Sequence, residues 1–201
     1  MNAQELRERD PARFESEYDE WLRYNFHYDW WDSVEEMFKE DMEKFGLMIK
    51  RIYFNLSYCQ GDYASFEGHI HIAEWMRALG YADEYPALIL ALDDYGCMCK
   101  VNDRNDRPIV DTDSLCLVGT YTTPQGIFAD LHPQAWVNLV EEQADANPWD
   151  VLIDDWMRDR ARQLYRTLQE EYEYLSSEDS FVEHCDANGI KFEEEEACIS
   201  K

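Results

Sequence analysis

Four groups of residues have the types and spacing from which a chemical site could be built. His69 and His71, in Gly68-His69-Ile70-His71, fall on one face of an extended strand, the geometry from which a metal site can start. No HExxH, second HxH or correctly spaced carboxylate set accompanies them, and a polar strand face accounts for both. Cys97 and Cys99 share a strand face in the same way, but CxC without a second cysteine pair is a weak zinc signal, so buried free thiols are expected. The turn Gln60-Gly61-Asp62 and the residues after it offer acid/base groups in Asp62 and Glu67 and a hydroxyl in Ser65. Their spacing supplies neither a partner base nor an oxyanion site, and turn and strand chemistry explains them. Asp103, Asp106, Asp111 and Asp113 share one loop, yet the EF-hand order of ligands is missing and Arg104 and Arg107 intervene. No G-x-x-x-x-G-K-[ST], G-x-G-x-x-G or G-x-S-x-G occurs. No catalytic residue, metal or cofactor is therefore assigned.

The charge balance is more informative. The 201 residues carry 44 Asp and Glu against 18 Lys and Arg, a formal net charge of -26. Direct nucleic-acid binding through a basic footprint is disfavoured. The charge is uneven: residues 1–45 hold 14 acids and 6 bases, 46–120 hold 11 and 6, 121–147 hold 4 and 0, and 148–201 hold 15 and 6. Over a surface of about 10,000 Å², the average density falls well below the one phosphate per ~1.7 Å of axis in B-DNA, so a nucleic-acid-like face requires clustering. The C-terminal third is the most concentrated anionic stretch. A charge of this size exceeds the magnitude of about 2 to 8 that solubility asks of a small domain, which favours a partner of opposite charge. The eight residues from Tyr24 to Trp31 contain five aromatics, most expected in the core and any exposed ones suited to anchoring an interface.

The elements that must carry these groups follow from periodicity. Residues 11–45 read as two helices around an aromatic break, stopped at Gly46. Ile52, Phe54, Leu56 and Tyr58 alternate with polar partners, and after the turn Ala64, Phe66, Gly68 and Ile70 do the same, which predicts an antiparallel hairpin. Helical spacing returns over Ile72–Leu79 and Asp83–Asp94, with Pro86 in a first turn. Short strands are expected at Cys97–Val101 and Leu115–Tyr121, with a short helix somewhere in 122–147. From about 149 to 176 a long helix presents Ile153, Met157, Ala161, Leu164, Leu168, Tyr172 and Leu175 as its core stripe. A short helix from Phe181 to Ala187 follows, then an acidic tail over about 192–201. The fold class is α+β, helices packed on a small, mainly antiparallel sheet, in a single domain covering 1–201. No run of ~18 apolar residues is present, no signal-peptide pattern begins the chain, and the cysteines are not a disulfide framework, so a soluble cytosolic protein is expected.

Two stretches resemble a family of small acidic proteins of tailed bacteriophages, often labelled antitoxin-like. They are Arg51-Ile52-Tyr53-Phe54 through Gln60-Gly61-Asp62-Tyr63-Ala64-Ser65-Phe66-Glu67-Gly68, and Leu164-Tyr165 through Glu170-Glu171-Tyr172-Glu173-Tyr174-Leu175-Ser176-Ser177. The resemblance implies a phage protein made in the host bacterial cytoplasm and carries no catalytic assignment. Joined to the charge, it suggests a non-enzymatic inhibitor that binds the basic surface of a host nucleic-acid-binding or defence protein such as a nuclease, restriction or CRISPR component, in the manner of a nucleic-acid mimic. The partner-binding residues would be Glu170, Glu171, Glu173, Glu178 and Asp179, with Asp154, Asp155 and Asp159 behind them. Neither nucleic acid nor membrane is an expected partner. Like charge argues against burying the acidic face in a symmetric dimer, and the oligomeric state is otherwise left open. An antitoxin-like module neutralising a toxin, and an enzyme or metalloprotein centred on the 51–71 hairpin, are the alternatives.

Overall fold

The computed structural model describes residues 1–25, 29–57, 61–94, 98–103, 112–113, 115–118 and 148–193. It is an α+β structure: α1 (Ala3–Arg9), α2 (Pro11–Asn25), α3 (Asp32–Glu43), β1 (Leu47–Asn55), β2 (Tyr63–His71), α4 (Ile72–Ala78), α5 (Pro86–Asp94), β3 (Met98–Asp103), β4 (Leu115–Val118), α6 (Pro148–Leu175) and α7 (Glu178–Ala187). The helix expected within 122–147, Cys97 and the residues of the 192–201 tail beyond Glu193 lie outside the described residues. The chain divides into two compact units. Met1–Asp32 with Leu168–Lys201 form one, and Ser33–Thr167 the other.

The larger unit is built on a four-stranded antiparallel meander, β1-β2-β3-β4. Its core joins Leu47, Phe66, Ile70 and Val101 of the sheet to Trp75 and Met76 of α4, Leu88 and Leu92 of α5, and Ile153, Met157 and Ala161 of α6. Trp75 is fully buried, with its ring 6.0 Å from that of Trp156. Gly46, the expected stop of α3, has φ 70, a left-handed conformation that glycine takes without a Cβ clash.

The hairpin departs from simple alternation. Ile49 pairs with Gly68, whereas Arg51 pairs with Glu67, so Lys50 is an extra residue and the register shifts there. Leu47 and Ile49 reach the core before the bulge, and Ile52 after it. One face is thus supplied by odd positions and then by even ones. Ile52, Phe54 and Leu56, expected to be buried, are half-buried, and Tyr58 lies outside the described residues. On β2 Ala64, Phe66 and Ile70 are fully buried as expected, but Ser65, one of their polar alternates, is fully buried as well.

The smaller unit has its own core of Ala3, Leu6, Phe14, Phe181 and Cys185, with Tyr18, Trp21, Val182 and Phe192 packed on it. Helix α1 has no counterpart in the sequence reading. It forms because Asn2 and Glu5 make a capping box, Asn2 Oδ1 accepting from the Glu5 amide at 2.7 Å and Glu5 Oε2 from the Asn2 amide at 3.0 Å. Helix α7 starts at the Ser177 N-cap, whose hydroxyl accepts from the Ser180 amide at 3.1 Å. It ends before Gly189, φ 64.

Candidate functional site

The eight predicted acids fall into two sets, one in each unit. Asp154, Asp155 and Asp159 belong to the larger unit, on the first half of α6. The helix repeat puts arginines three or four residues further on, and they take up this charge. Arg158 lies 3.8 Å from Asp154 and 3.1 Å from Asp155, and Arg162 lies 2.7 Å from Asp159. Arg158 also donates through Nε to the Leu115 carbonyl at 3.2 Å, fixing it against β4. These three acids are locally compensated.

Glu170, Glu171, Glu173, Glu178 and Asp179 belong to the smaller unit. There 20 acids face 6 bases in 66 residues, whereas the larger unit has 24 against 12 in 135. Glu178 and Asp179, in the first turn of α7, share Arg7 of α1 at 2.7 and 2.9 Å. Their position also suits the positive end of the helix dipole. Glu178 is in addition one of the charges that raise the Tyr18 hydroxyl pKa, after burial. The other three have no ion pair among the described residues. The Glu173 carboxylate accepts from the Gln169 side-chain amide at 2.8 Å. Sequence reasoning missed Glu183 and Asp186, two further exposed acids on α7 without a basic partner among the described residues. Their signal was present in the acid count of residues 148–201, but nothing in it separated paired from unpaired carboxylates.

The hairpin residues form a different arrangement. Asp62 Oδ1 accepts from the Ser57 amide at 2.9 Å and Oδ2 from the Tyr165 hydroxyl at 3.5 Å. Asp62 and Tyr63 of the hairpin therefore meet Tyr165 of α6 at a polar cleft of about 370 Å³, also lined by Asp113 and Arg162. Arg162 is bridged to Asp113 at 3.0 Å as well as to Asp159, which raises its already high pKa. Asp62 is thus occupied in fastening the turn.

Ser65 is fully buried, and its hydroxyl has no hydrogen-bond partner among the described residues. It has no path to a substrate. Glu67 lies 3.7 Å from Arg51. His69 stands opposite Met48 and Lys100, and its pKa is lowered by burial and then by Lys50 and Lys100. His71 is the N-cap residue of α4. Among the described residues no three His, Cys, Asp or Glu side chains gather as a metal site would need. Of the aspartates read as a loop cluster, Asp106 and Asp111 lie outside the described residues, while Asp103 ends β3 and Asp113 holds Arg162. No helix, among the described residues, is long and apolar enough to cross a membrane.

No curated protein and no solved structure matches the chain. Residues 30–178 match a family described as Domain of unknown function (DUF8835), a span that contains the whole sheet, the polar cleft and all of α6. By that match the chain belongs to the DUF8835 family.

Proposed function

We propose that the protein is a non-enzymatic binding protein, a phage-encoded inhibitor that occupies the basic surface of a nucleic-acid-binding or defence protein in the bacterial cytoplasm, where it stands in for nucleic acid. The observation that carries this reading is the uncompensated charge of the smaller unit: Glu170, Glu171 and Glu173 have no ion pair among the described residues, in a unit with 20 acids and 6 bases. Carboxylates already neutralised by neighbours offer a cationic partner little, because that partner must displace an existing pair. Unpaired ones attract it over a Debye length, about 8 Å at physiological salt, and speed encounter. Glu178 and Asp179 contribute after Arg7 is shared or displaced. Asp154, Asp155 and Asp159, held by Arg158 and Arg162, serve chiefly to stiffen α6.

The test is capture of a partner from bacterial lysate on the tagged chain, elution with a salt gradient, and repetition with duplex DNA as competitor. The expected result is a nucleic-acid-binding protein released at moderate salt and lost to DNA. Replacing Glu170, Glu171 and Glu173 together by lysine should slow its association about tenfold or more and flatten the salt dependence. A partner retained through high salt, indifferent to DNA and to the triple substitution, would overturn the reading in favour of an antitoxin-like apolar interface.

A further inference from the structure

The smaller unit also contains a cavity of about 510 Å³, with Trp21, Trp30, Tyr174, Glu183 and His184 in its walls. This volume lies within the range of about 300 to 1,000 Å³ typical of small-ligand sites. Ring contacts hold the two indoles in place. Trp21 lies 5.4 Å from Phe181 and 5.7 Å from His184, centroid to centroid, and Trp30 lies 5.6 Å from Tyr172 and 5.7 Å from Trp31. Tyr174 is 51% exposed, so the cavity is reached from solvent, and its hydroxyl donates to Glu183 Oε2 at 2.7 Å. That hydrogen bond and the Glu183 charge raise the Tyr174 pKa, which keeps the hydroxyl a donor.

The chemistry of these walls selects the sign of the occupant. Indole and phenol faces are negative at their centres, and Glu183 adds a carboxylate with no basic partner among the described residues. An anion would be repelled, and an apolar side chain would leave Glu183 desolvated and unpaired. A cation satisfies both features. A guanidinium suits them better than an ammonium, since it is planar, stacks on aromatic faces, donates in a fork to a carboxylate and is less strongly hydrated.

We propose that this cavity receives the guanidinium of an arginine on the partner's basic surface, sandwiched by Trp21 and Trp30 and paired with Glu183. The inference rests on the reading of the protein as a binder of basic surfaces and supplies its anchor: charge guides the approach and the aromatic pocket fixes position. The partner chemistry is thus an arginine-bearing surface of a protein, and lysine serves less well.

The test uses the full chain and a defined probe, Nα-acetyl-arginine methylamide, with the uncharged citrulline analogue as an isosteric control and the lysine analogue as the second cation. Indole NMR signals of Trp21 and Trp30, assigned by single Trp→Phe variants, report occupancy. Saturable shifts with the arginine compound are expected, with about tenfold weaker binding for lysine, a still larger loss for citrulline, and about tenfold weakening by Glu183→Gln. The amide introduced by that substitution keeps an oxygen to accept from the Tyr174 hydroxyl, so the variant tests charge rather than folding. Absence of a saturable shift, or equal response to arginine and citrulline, would overturn the proposal. Arginine binding without any DNA-displaceable partner would leave the pocket standing and remove the inhibitor reading, whereas a DNA-displaceable partner unaffected by Glu183→Gln would do the reverse.

Discussion

At the scale of single residues, the hairpin is decided by the atom that Gly68 lacks. A Cβ there would stand 2.2 Å from the Met48 carbonyl oxygen and 3.1 Å from Ile49 Cα, both backbone atoms that cannot rotate away. The position faces the bulge at Lys50, where β1 is drawn closely over β2. Gly68→Ala is therefore expected to push the strands apart and cost about 1–3 kcal/mol in urea unfolding, and a change within about ±0.5 kcal/mol, ordinary for surface sites, would mean that the bulge yields freely. The same scale shows what the sequence could and could not reveal. Gly68 was visible as one of the alternating small and apolar positions of β2, but its contact with Met48 depends on a register that local spacing does not encode. Among the acids, type and number were readable, whereas pairing was not. Arg158 and Arg162 follow Asp154, Asp155 and Asp159 at helical spacing, yet Arg7 reaches Glu178 and Asp179 from 171 or more positions away in the chain.

Elements with long, uniform periodicity were legible, and those decided by one or two residues were less so. Helix α6 runs Pro148–Leu175 against an expectation of about 149–176, because five positions of its stripe, Ile153 to Leu168, are all buried at the 3.6-residue repeat. Helix α1 spans two turns and buries only Ala3 and Leu6, so its evidence in the sequence is the Asn2 and Glu5 pair rather than a stripe. Strand β1 changes phase at Lys50, which defeats any single alternation. Helix α7 is short and depends on docking: Phe181 meets Phe14 in an edge-on contact at 5.4 Å and Trp21 at the same distance. Because Phe181 is the side chain of α7 on which Phe14, Tyr18 and Trp21 converge, Phe181→Ala should cost about 3–5 kcal/mol, whereas Ser177→Ala, which removes only the cap, should cost about 1 kcal/mol. Hydrogen exchange at α1, α2 and α7 amides would read the difference. Equal effects of the two substitutions would show that capping, rather than the aromatic core, organises these helices.

At the scale of the whole molecule, the charge that is proposed to recruit a partner also opposes folding. A net charge of -26 on 201 residues is self-repulsive, and the smaller unit concentrates 20 acids against 6 bases on a small core, Ala3, Leu6, Phe14, Phe181 and Cys185 among the described residues. Salt screens exposed charges over a Debye length that shrinks from about 30 Å at 0.01 M to about 3 Å at 1 M. The melting temperature should therefore rise as sodium chloride is increased from about 0.01 to 0.5 M. Stability resting mainly on ion pairs such as those of Arg7, Arg158 and Arg162 would instead fall over the same range. The combined Glu170→Lys, Glu171→Lys and Glu173→Lys variant separates the two contributions, since it removes repulsion without touching any of these ion pairs. It should melt higher than the parent at low salt, converge with it at high salt, and bind a basic partner less well. If the variant melted lower at every salt concentration, these carboxylates would be stabilising the fold, and their role as an uncompensated recruiting surface would fail. Gain of stability with loss of binding would instead mark them as charges kept at the expense of the fold, as expected of groups whose compensation is delivered by a partner.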